Sequence, residues 1–190
     1  NKDMIKLEIN YSLRAHIFES TYRSILNDAF KSDIRIRTVA PLEIFAAKGN
    51  ALISRAAARD LYDWSNLIEH NLFTDQKDLF RKCFAFYTTI SAGKSQINRD
   101  FNPSAIDLLD FTKIRRDLFP VISRKDSFQL EERKRQAKQY IADLMQLEEK
   151  EIEYMDRFMT KEYRPELLFD DEKIIARICE HPMALWKCQN

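Results

Sequence analysis

Glycine is nearly missing: the 190 residues contain only Gly49 and Gly93. Walker loops, Rossmann GxGxxG turns and the GxSxG nucleophile elbow each need several glycines, for tight turns or for close approach of the backbone to phosphate. All three are excluded within this chain. Long apolar runs are lacking too, and without about 18 consecutive apolar residues there is no membrane-spanning helix to assign. A net field is also lacking, because 31 basic and 30 acidic residues leave a formal charge of +1. Nothing global draws the chain to nucleic acid or to an anionic membrane, so any basic site must be local. Cys83, Cys179 and Cys188 form no CxxC pair and are odd in number, which favours buried thiols in a reducing, cytoplasmic setting. His16, His70 and His181 are scattered without HExxH or paired Cys/His spacing, which argues against zinc. The opening Asn1-Lys2-Asp3-Met4-Ile5 has neither an initiator methionine nor the apolar core of a signal peptide, and reads as an internal cut.

What is present is a chain with 45% hydrophobic and 12% aromatic residues, enough for a sizeable core in one structural domain. Ile5-Lys6-Leu7-Glu8-Ile9-Asn10-Tyr11 and Ile34-Arg35-Ile36-Arg37-Thr38-Val39 alternate apolar and polar side chains and predict two half-buried strands. The segment from Phe18 to Phe30 between them is ambiguous. From Leu42 to about Phe73 the apolar spacing predicts helix, opened by Pro41 and open to a break at Gly49. Further helices are expected near Lys77 to Ser91, Ser104 to Phe119, Leu130 to Gln146, Glu149 to Met159 and Glu172 to His181. The fold class is α+β: about two strands in residues 1–40, then a mostly helical part in residues 41–190. A lone strand pair is marginal in water and calls for further strands. The mixed run Glu131-Glu132-Arg133-Lys134-Arg135 reads as a solvated helix face. Phe80, Phe84, Phe86 and Tyr87 read as core rather than as a stacking surface for RNA.

One stretch concentrates chemistry. Leu61, Trp64 and Ile68 fall on one helical stripe, while Arg59 and Asp63 lie four apart on a face turned away from it. If the helix runs unbroken, Lys48, Arg55 and Arg59 share a narrow sector, since seven and eleven residues are near whole turns. Three cations beside an acid could hold a triphosphate, with lysine as a point charge and arginine as a bidentate fork. An exposed, ion-paired helix face is the plainer alternative, and spacing alone favours it.

The strings Ala47-Lys48, Ala51-Leu52, Arg55 and Arg59-Asp60-Leu61-Tyr62-Asp63 resemble the KxxALxxR and RDLYD elements of AbiEii/AbiGii-type nucleotidyltransferase toxins. Ile5 to Tyr11 followed by Arg14 resembles that family's strand ahead of the lysine motif. Tyr163-Arg164-Pro165-Glu166-Leu167-Leu168-Phe169 and His181-Pro182-Met183-Ala184-Leu185-Trp186-Lys187 resemble its C-terminal ending. These matches come in the family's order and span nearly the whole chain.

The resemblance implies an enzyme similar to DNA polymerase β-like nucleotidyltransferases, which hold Mg²⁺ through an Asp-x-Asp pair after a Gly-Ser or Gly-Thr turn and transfer a nucleotide from an NTP. It implies Glu8 as a metal ligand, Lys48 as the group that neutralises the triphosphate, and Asp63 or Asp60 as the carboxylate orienting that lysine or the acceptor, with Asp63 favoured. Arg55 and Arg59 become candidates for phosphate or acceptor contacts. A tRNA end as acceptor and a cognate antitoxin as partner are further implications, with no membrane involved. No glycine turn precedes an Asp-x-Asp here, so the chain reads as the C-terminal portion of such an enzyme, expected to be inactive alone. Two rival readings remain: a degenerate, non-catalytic helical module that recognises a protein partner, and a purely structural helical scaffold.

Overall fold

Two short strands, Thr21–Ser24 (β1) and Arg35–Thr38 (β2), pair antiparallel with Thr21 opposite Thr38 and Ser24 opposite Arg35. They belong to a computed structural model that describes residues 9, 15–24, 33–91, 97–123 and 128–189. β2 matches the strand predicted at Ile34 to Val39, whereas its partner is β1, taken from the ambiguous stretch. The strand predicted at Ile5 to Tyr11 lies outside the described residues apart from Ile9, and so does Glu8. Directly opposed residues in such a ladder share a face, so Tyr22 and Arg37 stand together on one side and Arg23 and Ile36 on the other. Both strands are largely exposed, so β2 is not the half-buried strand its alternation predicted: Ile34 and Ile36 are 61% and 51% exposed.

Eight helices follow among the described residues. Pro41–Arg55 (α1) and Ala58–Glu69 (α2) form a helical hairpin, followed by Lys77–Ile90 (α3), Phe111–Asp117 (α4), Leu130–Leu144 (α5), Glu149–Met159 (α6), Glu172–Ile178 (α7) and Pro182–Gln189 (α8). The arrangement is α+β and mostly helical. α1 packs on α3 and α2, α2 on α5, and α3 on α6 and α8. At the centre sits Trp64, wholly buried, with its ring 5.4 Å from Phe84, and 5.9 Å from both Phe80 and Tyr140. The aromatics of α3 are core, as expected: Phe80, Phe84 and Phe86 have no exposed surface. Only Cys83 of the three cysteines is buried; Cys179 is exposed and Cys188 intermediate, contrary to the expectation of buried thiols.

The break in the long helix falls at Ala56 and Ala57, not at Gly49. Ala56 adopts a left-handed conformation with φ 47°, its N–H donates to the Ala51 carbonyl, and Ala57 is extended. A non-glycine residue in that region costs about 1 kcal/mol, and burial of Ala56, Ala58 and Leu61 around the corner offsets it. Gly49 stays helical because of its neighbour: a Cβ there would overlap Trp64 Cζ2 and come within 3.1 Å of Phe84 Cζ. Gly49→Ala should therefore destabilise the protein by about 1–3 kcal/mol, the usual cost of overpacking, although alanine is the better helix former. Urea denaturation checks this, and a variant as stable as the parent would show that α1 and α2 can separate freely.

The predicted helix at Ser104 to Phe119 is split into a 3-10 turn at Ser104–Leu108 and α4. Asp110 causes the split, because its carboxylate accepts the Lys113 N–H and caps α4. α8, opened by Pro182, was not among the predicted helices.

Candidate functional site

The tight corner folds α2 back along α1. The Trp64 indole N–H donates to the Phe45 carbonyl at 3.3 Å, and the Lys48 ammonium donates to Asp63 Oδ2, so the contacts run in opposite directions along the two helices. Lys48 and Asp63 stand at the edge of this interface, with side chains 37% and 31% exposed. They remain open to a solute while being held toward each other.

Asp60 takes a different part. It lies in the first turn of α2, where a negative charge complements the helix dipole, and accepts a 3.4 Å hydrogen bond from Arg55 Nε. Its side chain is 9% exposed and that of Arg55 is 71% exposed. This pair braces the corner. Arg59 turns elsewhere, donating through Nε to the Asp117 carbonyl at the end of α4, 3.1 Å away. The narrow cationic sector expected of an unbroken helix therefore does not form. Lys48, Arg55 and Arg59 each engage a separate acceptor, because the corner at Ala56 and Ala57 resets the helical phase.

Among the described residues, no group of three or more His, Cys, Asp or Glu side chains is placed to hold a metal ion. Asp63 is engaged by Lys48 and Asp60 by Arg55. The described residues by themselves therefore assemble no Mg²⁺ site, and the expected ligand Glu8 lies outside them.

A second polar cluster went unread in the sequence. Glu43, in the first turn of α1, has no exposed surface and accepts the Ile17 N–H at 2.9 Å, the Phe18 N–H at 3.3 Å and the Tyr87 hydroxyl. His16 Nδ1 lies 3.2 Å from it and must carry the hydrogen, since a carboxylate offers only acceptors. Burial raises the Tyr87 hydroxyl well above its usual range, with the Glu43 charge adding to the rise. Burial, with the same charge behind it, also pushes the Cys83 thiol up, so that thiol is inert. His181 closes the cluster: its Nδ1 accepts the Met183 N–H, which leaves Nε2 to donate to the Ala15 carbonyl at 3.2 Å. Burial lowers its pKa and keeps this ring neutral. The one available signal was a carboxylate at position 43 on the stripe that also carries Leu42, Ala46, Gly49 and Ile53.

Arg177 of α7 adds another tie, donating to the Ile17 carbonyl at 3.0 Å and to Glu19 at 2.8 Å. Residues 15–19 are thus pinned by α1, α7 and the start of α8, and they lead into β1.

Residues 1–163 match the protein family described as nucleotidyl transferase AbiEii toxin, type IV TA system. No curated protein and no solved structure matches the chain. No helix among the described residues is long and apolar enough to cross a membrane.

Proposed function

The chain belongs to the AbiEii nucleotidyl transferase toxin family of type IV toxin–antitoxin systems, and from that premise we propose that Lys48 and Asp63 form the charge-handling part of a nucleotidyl-transfer site. The observation that carries the reading is their contact across the α1–α2 hairpin, one residue from the KxxALxxR string and the other from the RDLYD string. In the proposed reaction an acceptor hydroxyl attacks the α-phosphorus of an NTP and pyrophosphate leaves. The Lys48 ammonium stabilises charge on the triphosphate, and Asp63 aims that ammonium. Asp60 and Arg55 keep the corner in place rather than touching substrate. Arg59 ties α2 to α4, and its guanidinium is the proposed contact for an acceptor phosphate. Mg²⁺ would supply Lewis-acid polarisation of the phosphates when bound, with Glu8 the proposed ligand from this chain. The acceptor is proposed to be a tRNA end, and a cognate antitoxin the protein partner, in the cytoplasm.

A non-catalytic binding module is the second reading. One observation favours it: all three motif cations already have acceptors within the fold. Incubating the natural full-length protein with each α-labelled NTP and bulk RNA separates the two. Transfer of label to RNA is the expected result, and no labelling of RNA or protein with any NTP would leave the binding module as the better account.

A further inference from the structure

The β1–β2 pair and α7 face each other across an open cleft of about 750 Å³, lined by His16, Tyr22, Arg37 and Arg177 together with Glu19 and Ser20. That volume falls within the range of sites for small organic ligands. Its walls carry two guanidinium groups and an imidazole against one carboxylate. Arg177 is fixed by its bonds to the Ile17 carbonyl and to Glu19, and Arg37 by donation from Nε to Ser20 Oγ. Such anchoring spends some of each guanidinium's donors and orients the rest, which is how arginine is preorganised for a phosphate. Tyr22 shares the strand face of Arg37 and is 65% exposed, a large aromatic ring left in water beside cations. Aromatic faces next to arginines are platforms for nucleobases.

We propose that this cleft is a nucleotide-binding site, in which Arg37 and Arg177 hold a phosphate monoester and the base stacks on Tyr22. The site is separate from the Lys48–Asp63 pair and does not depend on the transfer reading. Glu43, which carries His16, precedes Lys48 on α1 by five residues, roughly 140° around the helix, so Lys48 projects away from the cleft. Arg177 also lies beyond residues 1–163, the segment that matches the family.

Calorimetric titration of the whole chain with adenosine 5′-monophosphate tests the site. Binding is expected, with inorganic phosphate competing and adenosine giving no heat at the same concentrations. Arg37→Ala and Tyr22→Ala should each weaken binding roughly tenfold, the loss of one charge-assisted contact or one stacked base. Both side chains are exposed, so neither variant endangers folding. Arg177→Lys retains the charge but loses the fork, and should weaken binding while a melting curve reports its structural role separately. A free nucleotide and the 5′-phosphorylated end of a strand share this chemistry. Displacement by a 5′-phosphorylated oligoribonucleotide assigns the cleft to a strand end, and failure to displace assigns it to the free nucleotide. No binding to the parent chain, unchanged affinity in both Arg37→Ala and Tyr22→Ala, or loss in Lys48→Ala alone would overturn the proposal.

Discussion

Lys48→Ala in the full-length protein should lower nucleotidyl transfer by roughly two to three orders of magnitude, the loss that follows removal of one preorganised group facing developing phosphate charge. Stability should hardly change. The Lys48–Asp63 pair is about one-third exposed on each side, and pairs so open to solvent contribute about 0–1 kcal/mol. A large kinetic effect beside a small thermal one is the signature that a merely structural ion pair would not give. Asp63→Asn refines the test. If Asp63 aims the ammonium without touching substrate, its loss should be smaller than that of Lys48→Ala. Arg55→Ala should change both transfer and stability little, because its 3.4 Å bond to Asp60 comes from a side chain 71% exposed. Full transfer activity in Lys48→Ala would end the catalytic interpretation of the hairpin.

Glu43→Ala should be the most damaging single substitution in the polar interior, at about 3 kcal/mol or more. Removing the carboxylate leaves the Ile17 and Phe18 N–H groups, the Tyr87 hydroxyl and the His16 ring without their acceptor. Each buried donor so stranded costs about 1–3 kcal/mol, and the relief of no longer burying a charge offsets only part of the sum. Tyr87→Phe removes one donor while the carboxylate keeps its other partners, and should cost about 1 kcal/mol. Urea midpoints at constant slope would measure both. Equal losses in the two variants would show that residues 15–18 are not held by Glu43. The same variant should impair the cleft beside β1, because His16 is one of its walls.

Much of the helical part was legible because its signals are local. α3, α5 and α6 start where they were predicted, each from amphipathic spacing, and α6 carries a capping box between Glu148 and Glu151. The corner between α1 and α2 was not legible. Alanine is the strongest helix former, so Ala56 and Ala57 look like the middle of a helix, and the left-handed turn there is imposed by packing. Gly49 misled for the converse reason, since its missing side chain accommodates Trp64 rather than a bend. β1 is only Thr-Tyr-Arg-Ser, too short and too polar to show alternation. At the site, Lys48 and Asp63 were read from family strings, but which aspartate faces the lysine depends on the corner and emerges only in three dimensions. Glu43, His16 and Tyr87 are far apart in sequence, and no local pattern joins them.

The bonds from Arg177 to Ile17 and from His181 to Ala15 span 160 and 166 positions. During synthesis the segment at 15–19 can dock on Glu43 of α1 early, but its ties to Arg177 and His181 must wait until those residues have emerged. Loop closure over such distances is slow compared with forming the helical hairpins between. The last ties to form are thus those that close the far wall of the cleft, and a nascent chain arrested before residue 177 could carry the bonds to Glu43 but not that wall.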